Sequence, residues 1–166
     1  MRVKCGLLTV CAVLGMLVVG AAAVGAAPRP QTLSFLEVST TFAGVGGYNA
    51  MSNGPPAAGQ GITLTSTLFK WAGMKKGAPL GHDQVVCIAT YVDLSVGSVQ
   101  LQCNATVFLP GGGIQLAGSS NFSNPVTNVA VVGGTGAYAG AQGTARIKGI
   151  GGENSNTSAY LIHITN

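Results

Sequence analysis

The chain has 166 residues, a formal net charge of +4, and 7 % charged side chains against 47 % hydrophobic ones. Basic residues so few and so scattered exclude a nucleic-acid-binding surface, and the hydrophobic content excludes a disordered chain. Long amphipathic helical repeats are absent, while abundant Gly, Ser, Thr, Asn and Val point to a turn-rich all-β protein.

At the N-terminus, Arg2 and Lys4 precede an apolar run from Cys5 to Val24 that ends in the small residues Gly25, Ala26 and Ala27. This order predicts a secretory signal peptide over residues 1–26 and one mature domain over 27–166, secreted and without stable membrane insertion. The run also approaches the ~20 residues that span a bilayer, so a retained anchor is the competing reading. Removal takes Cys5 and Cys11 with it. The mature chain keeps Cys87, Cys103 and six basic residues (Arg29, Lys70, Lys75, Lys76, Arg146 and Lys148).

From Leu33 onward the pattern predicts eight strands: Leu33–Phe42, Gly61–Trp71, Gln84–Val92, Ser98–Leu109, Ile114–Ser120, Thr127–Val132, Thr144–Ile150 and Ser158–Thr165. Two connections, Ala43–Gln60 and Ala72–Asp83, are expected as long loops because they carry Pro and Gly. Eight short strands with hairpin links fit a closed barrel, which removes exposed edges; a sandwich gives a similar pattern. In Ser98–Leu109 the two faces separate cleanly, with Val99, Leu101, Cys103, Ala105 and Val107 in one row. If Cys87 and Cys103 are direct cross-strand partners, Tyr91 faces Val99 and the turn falls on residues 93–97. In an exported chain these cysteines are expected to form a disulfide; a buried free thiol is the alternative.

Between Val129 and Lys148 a β-branched run enters the glycine-rich corner Gly133-Gly134-Thr135-Gly136-Ala137-Tyr138-Ala139-Gly140-Ala141-Gln142-Gly143. A phosphate-binding reading requires a helix after the glycines, yet Thr144-Ala145-Arg146-Ile147-Lys148 alternates like a strand. The corner instead resembles the "GGTGxYxGAxG" motif of the allene oxide cyclase and dirigent protein superfamily, and Phe108–Gly118 resembles the hairpin before it. The resemblance covers about Leu33 to Thr165 and implies an all-β, eight-stranded antiparallel β-barrel of allene oxide cyclase/dirigent type, with a homotrimer as the common assembly.

Acids are few enough to weigh singly. Glu37 alternates onto the same face as Leu33, Phe35 and Ser39, where a carboxylate is costly unless hydrogen-bonded; the other reading places it on the solvated face. Residues 33–39 resemble the first strand of plant allene oxide cyclases, in which Glu37 matches a pocket glutamate and Ser39 stands at a water-holding asparagine. Val86–Ala89 resembles a cyclase strand whose pocket cysteine matches Cys87. The resemblance implies a cofactor-free isomerase or cyclase that binds an apolar or phenolic small molecule, with Glu37 catalytic and Ser39 and Cys87 lining the pocket; Tyr91 is expected as a further ligand contact, a plain core position being its simplest reading. It equally implies a dirigent role, orienting radicals made by a separate oxidase; a structural barrel is the third reading.

Remaining constellations are weaker. His82-Asp83 has no nucleophile-elbow sequence beside it, and the histidines and cysteines lack zinc spacing, so no metal is expected. Asp83, Asp93 and Arg146 are expected at solvated turn or strand positions, with barrel-lining roles of dirigent type as the alternative.

Overall fold

A computed structural model describes residues 29–49, 54–72, 75–151 and 155–166; the expected signal peptide lies outside them. Eight strands run β1 Gln31–Val45, β2 Gly61–Ala72, β3 Lys75–Asp93, β4 Ser98–Leu109, β5 Gly112–Asn121, β6 Val126–Gly134, β7 Gly143–Ile150 and β8 Thr157–Ile164. Each strand pairs antiparallel with its sequence neighbour, and β1 also pairs with β8, so the sheet closes into a barrel in chain order. Closure leaves no unpaired edge, which explains why so small a sheet tolerates long β-branched strands.

The expected loop Ala72–Asp83 is corrected by the structure. Residues 75–83 extend β3, pairing along β2 as far as Ala72↔Lys75. Gly77, Pro79 and Gly81 read as breakers in the sequence, but Pro79 sits opposite Phe69 between two register shifts, where a missing N–H is tolerated. At Gly81 a Cβ would collide with the Phe108 carbonyl, so glycine there permits close approach of β3 to β4. The first long loop is shorter than expected, because β1 continues to Val45.

The glycine corner closes one end of the barrel. It holds only a three-residue 3-10 turn, Gly136–Tyr138, and no helix follows it, consistent with the non-phosphate reading. Gly136 takes φ +61, and a Cβ there would strike the Gly111 carbonyl of the neighbouring hairpin, so the corner needs glycine on two counts. Tyr138 and Ala141 turn inward and join Phe35, Leu68, Val107, Ile114, Ile162 and Ile164 in an apolar floor. Such side chains stabilise the fold by ~1.5–3 kcal/mol each when fully buried. At the opposite end the β5–β6 connection, through Asn121, Phe122 and Asn124, borders a mouth.

Cys87 pairs with Cys103 and the two form a disulfide, with Cα atoms 4.1 Å apart. Around it, Ala89, Val99 and Leu101 form a second apolar cluster nearer the mouth.

Candidate functional site

Alternation on four strands aims one polar layer into the barrel, just above the apolar floor. Glu37 on β1 is 4 % exposed, Ser66 on β2 is 2 % exposed, and Asp83 on β3 is fully buried. Register explains their meeting: Ser39 is opposite Ser66, Ser66 is opposite Asp83, and Phe35, two residues before Glu37, is opposite Tyr160 of β8. The Tyr160 ring stacks on Phe35 with centroids 5.2 Å apart, which fixes where its hydroxyl points.

Two hydroxyls converge on one carboxylate oxygen. Ser66 donates to Glu37 Oε1 at 2.5 Å and Ser39 donates to the same oxygen at 2.9 Å. Oε2 of Glu37 takes no hydrogen bond among the described residues, and Glu37 lines the cavity described below. Tyr160 donates to Asp83 Oδ2 at 3.1 Å. Oδ1 of Asp83 is left buried without a partner.

This arrangement holds a proton. Burial, and next the charge of Glu37, push the Asp83 carboxyl from its ordinary 3.8 up to about 6, against the opposing pull of the Ser66 and Tyr160 hydroxyls and of His82. Burial and the same two carboxylates push the Tyr160 phenol well above its usual range, so it stays a donor. Every Lys, Arg and His among the described residues is solvent-exposed. No cation among them therefore neutralises the interior pair.

Above the layer lies a cavity of about 270 Å³ that reaches the mouth. Glu37, Tyr160, Leu116 and Val129 form its deep wall, Ile62, Leu64, Val85, Cys87, Leu101 and Ala105 its sides, and Asn121, Phe122 and Asn124 its rim. A wider depression of about 440 Å³ crosses the outer wall over Gln84, Val86, Asn104, Thr106, Gln115 and Val132. It is a shallow surface without a buried polar group, whereas the buried polar side chains lie in the interior.

Of the residues singled out in the sequence, Glu37 and Cys87 line the cavity, and Ser39 reaches it only through Glu37. Tyr91 does not point inward. A bulge between Ala89 and Tyr91 shifts the register so that Val92, rather than Tyr91, faces Val99; Tyr91 is 53 % exposed and bonds Asp93. Asp83, expected in solvent, is the most deeply buried acid among the described residues, while Asp93 ends β3 and bonds Ser95 of the following turn, and Arg146 is on the outer wall, as expected. His82 and Asp83 point to opposite faces, His82 outward against Phe108, so they form no dyad. Ser66 and Tyr160 were missed, although a serine within the row Ile62, Leu64, Ser66, Leu68 was a visible interruption.

No family model matches the chain, and no curated protein does. Solved structures match along most of it. Pyocyanin demethylase superposes with a TM-score of 0.65 at 19 % identity, covering 81 % of this chain and all of that one. A pterocarpan synthase dirigent protein gives 0.65 at 19 %, covering 82 % and 89 %. The exo-specific intermolecular Diels-Alderase AbnU gives 0.62 at 17 %, covering 81 % and 98 %. At these identities the likeness establishes the fold, a closed eight-stranded barrel of the dirigent type.

Proposed function

We propose that this barrel is secreted, binds a small organic molecule of largely apolar body in its interior, and isomerises or cyclises it without a cofactor. The observation that carries the reading is an apolar cavity of about 270 Å³ whose deep wall presents Glu37, held by two serines through one oxygen with the other oxygen unbonded. A preorganised carboxylate in a largely apolar wall needs little reorganisation when positive charge develops beside it or when a proton leaves the ligand. In an isomerisation the proton taken by Glu37 returns at another ligand atom, so composition is unchanged. Cavity walls select the reactive conformer. Similar barrels carry the names of a demethylase and a Diels-Alderase, which is in keeping with chemistry inside such a wall. The disulfide and the N-terminal sequence both favour an oxidising, extracytoplasmic setting.

A dirigent-type role is the second reading, favoured by the likeness to a dirigent protein and by walls that are mostly apolar. There the barrel orients radicals from a separate oxidase and breaks no bond itself.

The test is a native mass-spectrometric screen of the purified protein against terpenoids, phenolics, N-heterocycles and oxidised fatty acids, followed by turnover assays on captured ligands. Capture with turnover that Glu37→Gln abolishes while the variant stays folded supports the isomerase. Capture without turnover, with altered product stereochemistry when an oxidase is added, supports the dirigent role. No capture overturns both.

A further inference from the structure

The interior combines two carboxylates with no compensating cation among the described residues. Glu37 and Asp83 are both buried, the charge of Glu37 raises the cost of ionising Asp83, and all described Lys, Arg and His side chains are exposed outside. Two acceptor oxygens remain unbonded there, Asp83 Oδ1 and Glu37 Oε2. The remaining polar groups of the layer, Ser39, Ser66 and Tyr160, already spend their protons on these carboxylates. Elsewhere on the cavity wall the hydroxyls are those of Ser158 and of the Ser120–Thr127 pair, so Glu37 is the one ionisable carboxylate that the cavity wall itself presents among the described residues.

We propose that the ligand of this cavity is a compact organic cation of delocalised charge, seated with its positive end against Glu37 and the Tyr160 edge. The inference rests on the interior-pocket reading above and adds charge class and size to it. A carboxylate in low dielectric next to an apolar wall attracts a delocalised cation strongly, because such a cation is cheap to desolvate. The same field repels carboxylic acids. The volume of about 270 Å³ lies just below the ~300–1,000 Å³ typical of drug-sized ligands, which suits a two-ring or three-ring body rather than a long acyl chain.

Ionisation of Asp83 adds to the attraction. The groups facing it are Glu37 from β1, Ser66 from β2, Val107 from β4 and Tyr160 from β8, with His82 of its own strand turned outward. Among these, Asp83 is the one raised to about 6. Affinity for a permanent cation therefore rises between pH 5 and pH 7.5.

Three probes of matched shape decide the matter in calorimetric or fluorescence titrations of the whole protein: N-methylquinolinium, neutral 1-methylnaphthalene and anionic 1-naphthoate. The expected order is the cation at least 10-fold tighter than the neutral probe, with no measurable naphthoate binding. The cation is expected to gain roughly 3-fold or more in affinity from pH 5 to 7.5, and Glu37→Gln to cut the cation-over-neutral ratio by about 10-fold. Equal binding of the three, or tighter naphthoate binding, overturns the charge inference and leaves the pocket standing. Absence of binding by all three overturns the inference together with the pocket. Because the probe series is read on the unaltered protein, a misfolded Glu37→Gln variant does not rescue or sink it.

Discussion

Replacing Asp83 by asparagine is expected to stabilise the protein at neutral pH. The Asp83 carboxyl, buried beside Glu37, titrates at about 6 in the fold against 3.8 ordinarily. An acid whose folded pKa is raised is favoured in its protonated form, so the associated stability is fully present below about pH 3.8. It is lost as pH rises through 6. The difference corresponds to about 3 kcal/mol. The asparagine side chain stays neutral at every pH, keeps an acceptor for the Tyr160 hydroxyl, and presents an N–H₂ donor to a carboxylate-rich surrounding. Urea unfolding of both proteins from pH 3.5 to 8, with the disulfide intact, reads the effect as the difference in midpoint at constant slope. The Asp83→Asn variant is expected to gain on the wild type by about 2–3 kcal/mol between pH 4 and 7.5, most of it between pH 4 and 6.5. A difference that is flat across this range, or a variant less stable at pH 7.5, refutes the argument that Asp83 is a buried, destabilised acid.

The same polar layer and its disulfide carry further expectations. Tyr160→Phe removes the one hydrogen bond to Asp83, so the pH range over which stability falls should move upward and the fold should lose about 1–2 kcal/mol, read in the same titration. Ser66→Ala strips a donor from a buried carboxylate and should cost about 1.5–3 kcal/mol; Ser39→Ala, at a half-buried position, should cost less, and equal losses in denaturation would contradict the geometry. Reduction, or the double change Cys87→Ala and Cys103→Ala, opens a link between residues 16 apart and should lower stability by about 3 kcal/mol, with the intact mass of the native protein showing two hydrogens fewer than its reduced form.

Much of the scaffold was legible. Strand Ser98–Leu109 matches β4 end for end because its apolar and polar rows never slip. The glycine corner was legible because close backbone approach and a positive φ at Gly136 leave few alternatives to glycine. Pairing of β1 with β8 is a contact across nearly the whole chain, and no local pattern announces it. Glu37 could not be assigned a face because Phe35, Leu36 and Glu37 are all buried, blurring the alternation of β1. Asp83 was hidden by a proline and glycines that the register shifts of β2–β3 absorb, and Tyr91 was turned outward by one bulge that composition does not signal. In each case the site depended on strand register, and register is set by the pairing partner as much as by the strand itself.

The central claim is that a ligand occupies the barrel interior above Glu37. Intermolecular NMR contacts between a captured ligand and the methyl groups of the barrel test it directly. The account predicts contacts to Val85, Leu101, Leu116 and Val129, the inward side chains around the cavity. Contacts confined to Val86 and Val132 on the outer wall would place the ligand outside the barrel and contradict it.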